Sequence, residues 1–163
     1  MPSPELTAVA ATVGARLAER GESVAVAESS AGGLISAALL SVGGASAYYR
    51  GGMVIYTLDG ARAMLAGATD VEPGRRSASE PFARYLAAAV AGKLGADWGV
   101  GETGATGPSG NPYGDPAGHA WVAVTGPGGL VRAEHQLTGS ADRTANMQAF
   151  ALAALRQLAA ALG

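Results

Sequence analysis

Residues 23–40 read SVAVAESSAGGLISAALL, and the rest of the chain is most easily understood outward from them. The run Ser23-Val-Ala-Val-Ala27 is short, apolar and preceded by Gly21, which predicts a buried strand. Gly32-Gly33 then opens a helix over Leu34–Val42 that stops at Gly43-Gly44. A buried strand feeding a helix through a polar turn is the start of an α/β layer. In open α/β sheets ligands gather where a strand's carboxyl end meets the next helix, and here that place is held by Glu28-Ser29-Ser30.

Upstream, Pro4 follows a capping Ser3, and Leu6, Val9, Ala10, Val13 and Leu17 fall at helical spacing, predicting a helix over 4–20. Downstream, Met53–Thr57 reads as a core strand and Asp59–Leu65 as a short helix capped by Asp59. Ser79-Glu80-Pro81 begins a helix reaching Leu94, and Trp98–Val100 reads as a strand. From Gly99 to Gly118 there are seven glycines and three prolines, which predicts an ordered functional loop rather than a regular element. Ala120–Thr125 and Leu130–Leu137 flank Gly126-Pro127-Gly128-Gly129 as a hairpin, and a helix over Asp142–Leu162 closes the chain. Early helix–strand alternation with a late hairpin predicts a single-domain layered α/β fold over residues 1–163, a mixed sheet flanked by helices.

Composition narrows the function. The chain has 163 residues, 48% of them hydrophobic and 15% charged, so it is folded rather than disordered and buries roughly 70% of its unfolded surface. A net charge of −2 with scattered charges speaks against nucleic acid as a partner. Without cysteine there are no disulfides, thiolate nucleophiles or Cys-ligated zinc. Ten of the eleven cationic side chains are arginines, which leaves Lys93 as the one lysine. The first twenty residues lack a basic n-region and carry Glu5, so no signal peptide is expected. Residues 29–49 form an uncharged stretch long enough to span a membrane, but its four glycines and five serines indicate loop, helix and loop. A cytoplasmic protein without membrane association is the expectation.

Two segments carry candidate chemistry. In the first, Ser29 or Ser30 offers a hydroxyl nucleophile and the amides of Gly32 and Gly33 suit an anion or oxyanion; the alternative is that the serines cap the helix. The second is Gly101-Glu-Thr-Gly-Ala-Thr-Gly-Pro-Ser-Gly110. Gly99, Gly101 and Gly104 satisfy G-x-G-x-x-G, but Gly107, Pro108 and Pro112 follow where a helix must begin, so a dinucleotide fold is not expected, and no Gly-Lys-Ser/Thr follows to make a P-loop. What remains is either a cradle of amides and the Thr103 and Thr106 hydroxyls for phosphate or ribose, or a structural turn cluster. Tyr56 and Thr57 end a predicted strand, where the pocket of Ser29 or simple packing accounts for them. Arg143 is a phosphate donor or a solvated arginine of a first helical turn. His119 and His135 have no carboxylate at ligand spacing, so they read as strand-surface histidines and no metal is expected.

Taken together, AESSAGGLISAALLSVGGASAYYRGGMVIYT at 27–57, GETGATGPSG at 101–110 and DPAGHAWVAV at 115–124 resemble the C-terminal domain family of the competence/damage-inducible protein CinA. Stand-alone members of that family are nicotinamide mononucleotide amidases, and the likeness covers essentially the whole chain. The resemblance implies hydrolysis of nicotinamide mononucleotide to nicotinate mononucleotide and ammonia, a pyridine-nucleotide salvage step that uses neither metal nor cofactor, in a homo-oligomer. It makes Ser29 the nucleophile and Tyr56 an assistant in proton transfer or positioning. It makes the loop of Thr103, Gly104, Ala105 and Gly107 part of the substrate cradle; the residues themselves add Glu28, Ser30, Gly32, Gly33 and Arg143 to the expected substrate side, with the Gly32 and Gly33 amides as the oxyanion site.

The chain departs from its family at three positions. The lysine five residues after the tyrosine, which looks like the activating base, is Ala61 here, with Arg62 beside it. Alanine moves no proton and arginine stays charged, so neither replaces it. The threonine after the serine pair is Ala31, and the one before the late strand is His119, which makes His119 the candidate substitute base. Lys93, late in another helix, reads as a solvated cation. Two expectations follow: an amidohydrolase whose Ser29 is activated by Tyr56, Glu28 or His119, or a weak paralogue that binds pyridine or adenine nucleotides.

Overall fold

A computed structural model of the chain describes residues 1–72, 74 and 76–163. Five helices, α1 (Pro4–Arg20), α2 (Leu34–Leu40), α3 (Leu58–Leu65), α4 (Glu80–Leu94) and α5 (Arg143–Leu162), surround five strands, β1 (Val24–Glu28), β2 (Tyr49–Val54), β3 (Trp98–Ala105), β4 (His119–Gly126) and β5 (Leu130–Leu137). The strands form one mixed sheet in the order β2-β1-β3-β4-β5, parallel across β2, β1 and β3 and antiparallel from β3 to β5. Among the described residues no helix is long and apolar enough to cross a membrane.

Side-chain alternation divides the core. Val24 and Val26 of β1, Trp98 and Val100 of β3 and Val122 and Val124 of β4 pack on one face against α1, α2 and α5. Ala25 and Ala27 face the other side, where α3 and α4 supply Ala61, Leu65, Phe82, Leu86 and Val90. The connection leaving β1 therefore runs over one face and the connection leaving β2 over the opposite one. The carboxyl ends of these neighbouring strands lie where the chain parts to both faces, which is where open α/β sheets bind ligands.

Three local expectations are corrected. The third helix is capped by Thr57, whose hydroxyl accepts from the Gly60 amide at 3.0 Å, rather than by Asp59, which instead pairs with Arg62. The strand before it ends at Val54 and starts earlier, at Tyr49. The third correction is larger, because the glycine-rich segment is strand as far as Ala105 rather than loop from Gly99. Its glycines serve packing: a methyl at Gly99 or Gly101 would meet the Ala87 or Ala83 carbonyl oxygen of α4, so their absence of side chain lets the helix backbone lie directly on the strand.

Candidate active site

Ser29 follows the last residue of β1 and is half-buried. Its amide donates to the Glu102 carbonyl at 3.1 Å and to Glu102 Oε2 at 3.0 Å, so the turn is anchored to β3. On the other side of β1, the Ile55 amide donates to the Glu28 carbonyl at 2.8 Å, which brings Tyr56 alongside the same turn. The strand order thus puts the Ser29 turn between Tyr56 and the segment after Glu102.

A cavity of about 250 Å³ opens beside these strand ends, lined by Tyr56, Gly104, Ala105, Thr106, Gly107 and Arg143 together with Ser109–Asn111; Ser29 is not one of its lining residues. Arg143, the first residue of α5, donates to the Gly107 carbonyl at 2.8 Å and to the Tyr56 hydroxyl at 3.2 Å. It ties the strand end to the loop and leaves the Tyr56 proton free to point elsewhere. Asn146, one turn further along α5, donates to the Thr106 carbonyl at 2.9 Å and so fixes the loop from below.

Two fully buried carboxylates stand behind the turn. Glu28 and Glu102 are register partners on adjacent strands, and both point to the face covered by α2 and α5. Glu28 accepts from the amides of Gly33, Ile35 and Ser36 at 2.9, 3.0 and 3.0 Å and from the Ser36 hydroxyl at 2.7 Å. It reaches past the Ser29 turn to cap α2, using the positive end of the helix and the unpaired amides of its first turn. Glu102 accepts from the amides of Ser29 and Ala31 and from the Ser30 hydroxyl. Burial pushes its carboxyl up from 4.5 to about 7, against the Ser30 hydroxyl and the Ala31 amide, while the charge of Glu28 adds to the rise.

These positions revise several expected roles. Glu28 is a helix cap rather than a substrate contact, and Ser30 is buried with its hydroxyl on Glu102. The amides of Gly32 and Gly33, expected at an oxyanion, are already engaged with the Ser29 carbonyl at 3.2 Å and with Glu28. Both glycines adopt positive φ, +66° and +99°, the backbone this tight turn requires. The Thr103 hydroxyl faces α4 and accepts from the Ala78 amide at 3.0 Å, away from the cavity, while Gly104, Ala105 and Gly107 line it.

His119 is not a strand-surface histidine, and both its ring nitrogens already have partners. It is buried, its Nε2 lies 2.8 Å from the Ala78 carbonyl and its Nδ1 2.8 Å from His135 Nε2. Ala78, like the Thr103 hydroxyl bonded to it, belongs to the α4 face, opposite Glu28 and Glu102. Lys93 lies exposed in the last turn of α4, at the end of the sheet remote from Ser29. Ala61 is 2% exposed, among Ile55, Leu65 and Phe82. Glu102 was missed because its segment read as loop, although the alternation of Trp98, Val100 and Glu102 with small residues already carried a strand's period of two.

If Glu28 is a cap, then Glu28→Gln places an amide group against three backbone N–H donors and strands a buried donor. A loss of about 2–3 kcal/mol is expected in urea unfolding, with KM for any substrate unchanged in the folded protein. A raised KM at full stability would return Glu28 to the substrate side.

The sequence profile of the CinA C-terminal domain matches residues 6–162. A CinA-like protein of Anaeromyxobacter dehalogenans (strain 2CP-C) is 40% identical over 145 residues, 89% of this chain and 36% of that protein. One of Chlorobium limicola is 37% identical over 155 residues, again 36% of its length. The chain thus spans about a third of the length of these curated relatives. Among solved structures, the competence/damage-inducible protein CihA of Agrobacterium tumefaciens superposes with a TM-score of 0.89 at 30% identity, covering 99% of this chain and 98% of that one. A CinA superfamily protein of Klebsiella pneumoniae superposes with a TM-score of 0.88 at 25% identity, covering 96% and 97%.

Proposed function

Because the chain belongs to the CinA C-terminal domain family, we propose that it hydrolyses the carboxamide of nicotinamide mononucleotide, releasing ammonia and nicotinate mononucleotide, with Ser29 as the nucleophile. One observation carries the reading: Tyr56 and the Gly104–Gly107 loop line a single cavity, and the strand that leads into Ser29 lies between the two strands that lead to them. At about 250 Å³ the cavity is near the small end of ligand pockets, in keeping with a small substrate.

In this reading Ser29 Oγ attacks the carboxamide carbon and its proton passes to the Tyr56 oxygen as Tyr56 gives its own to the carboxamide nitrogen, so the C–N bond breaks and ammonia leaves an acyl-serine with Tyr56 protonated as before. Tyr56, whose oxygen accepts from Arg143, holds its proton for the departing nitrogen. Water then attacks the acyl-serine, and Ser29 regains its proton as the carboxylate leaves. Arg143, which begins α5 and lines the cavity, is read as the partner of the substrate's anionic charge. His119 has no part in the scheme, since both its ring nitrogens are already engaged, one with the Ala78 carbonyl and one with His135.

The missing family lysine makes slow turnover the expected wild-type behaviour, and Ala61→Lys is the test. Forcing an ammonium into this buried position costs about 2 kcal/mol of stability, yet the same burial lowers the amine's pKa toward that of a working base. Ammonia release from nicotinamide mononucleotide is expected from the wild type and is expected to rise about 10²-fold in Ala61→Lys. Binding of the nucleotide with no ammonia from either protein would leave the second reading, a nucleotide-binding paralogue without turnover.

A further inference from the structure

We propose that Glu102 is the positioning residue of the Ser29 turn: through the Ser29 and Ala31 amides and the Ser30 hydroxyl, its carboxylate holds the nucleophile in its reacting position, and the turn follows the charge on that side chain. The inference rests on the reading of Ser29 as nucleophile.

The two buried carboxylates divide the donors of one strand-to-helix connection. Glu102 takes the amides of residues 29 and 31, and Glu28 takes those of 33, 35 and 36. A cap for α2 needs only Glu28. A second carboxylate directly opposite it on β3 adds desolvation and like-charge repulsion, and the bonds it makes in return all lie on the turn that carries Ser29. The turn therefore has two hydrogen-bonded states. With Glu102 ionised, the Ser30 hydroxyl donates to Oε1. With Glu102 protonated, the carboxyl proton takes that line, Ser30 becomes the acceptor, and its own proton must turn away.

The charged groups around Glu102 are few. Glu28 on β1 is the carboxylate facing it; its partner across β4 is Val122, and α2 (Leu34–Leu40) has no titratable side chain. At the head of α5, Asp142 caps the helix through the Ala145 amide and Arg143 is directed at Gly107 and Tyr56. Titration of Glu102 near neutrality is thus felt first by the turn. Its sign is fixed by the geometry: the ionised form holds the turn, so the competent population grows as pH rises through about 7 and falls below it.

The test uses the full chain labelled with 15N between pH 5 and 9. The Ser29 and Ala31 amide resonances are expected to move together with one midpoint near neutrality, and Glu102→Gln, which fixes a donor toward Ser30 as the protonated carboxyl does, is expected to abolish that movement. On nicotinamide mononucleotide, kcat/KM is expected to rise about tenfold from pH 6 to pH 8 in the wild type and to stay flat and low in Glu102→Gln. A purely structural residue would lower the rate without flattening the profile. Amide resonances that stay flat in the wild type, or titrate unchanged in Glu102→Gln, overturn the proposal, as does a wild-type rate independent of pH while the amides titrate. If no ammonia is released at all, the amide reading fails or stands without it, because it needs no substrate. If Glu102→Gln does not fold, 13C-labelled glutamate in the wild type decides: a side-chain carboxyl sharing the amides' midpoint supports the proposal, and no such carboxyl overturns it.

Discussion

Ser29→Ala is expected to reduce ammonia release from nicotinamide mononucleotide by about 10⁴-fold, or to the assay floor, with stability unchanged within about 0.5 kcal/mol. The asymmetry comes from which atoms of Ser29 do what. Its contributions to the fold are made by the backbone: the amide donates to the Glu102 carbonyl and side chain, and the carbonyl accepts from Gly32. All of these survive in alanine. The hydroxyl alone is removed, and with it the bond that would split amide hydrolysis into two easier steps. Ser30→Ala is the informative contrast, since it removes a bond to Glu102 and leaves the nucleophile in place. Mass spectrometry of the acylated protein, combined with the rate, separates the two. Ser29→Ala that keeps wild-type turnover would move the nucleophile elsewhere.

The second large effect is on stability. Gly101→Ala is expected to cost about 4 kcal/mol in urea unfolding, far beyond the usual penalty for alanine in a strand. The added methyl would be driven into the Ala83 carbonyl oxygen and stand 2.7 Å from the Ala87 nitrogen, both backbone atoms of α4 that no rotamer change can move aside. The helix would have to lift off β3, and with it the layer formed by Ala83, Ala87 and Ala123. The same substitution at Gly114 meets open space, so there the cost is confined to that residue's positive φ of 92°. A loss at Gly101 no larger than at Gly114 would show that α4 is not seated on the strand.

How far the sequence could be read depended on whether a signal was local. α1, with Ser3 as cap and Gly21 as its left-handed stop, and α4, capped by Ser79, kept their predicted limits because caps and apolar spacing are properties of neighbouring residues. The β1–turn–α2 unit was readable in kind and its motif pointed to Ser29, although the strand runs one residue later than expected and α2 stops at Leu40 rather than Val42. β3 was not, because glycine counts alone say loop. Only the seating of a helix backbone against the strand makes glycine the required residue there, and Ala87 and Ala83, which Gly99 and Gly101 meet, lie 12 and 18 positions away in the chain. Misreading β3 also hid Glu102.

Local order therefore came from periodicity, caps and turn glycines, which act within a few residues and need no partner. The roles of Glu28, Glu102, Thr103 and His119 came from somewhere else. Each is a polar group whose meaning depends on where its hydrogen-bond partners arrive in space: three amides of a helix start for Glu28, an amide pair and a hydroxyl for Glu102, and the Ala78 amide and carbonyl for Thr103 and His119. A buried polar side chain is assigned by whichever donors and acceptors the packed layers bring to it, and those distances do not exist until the sheet has closed against its helices.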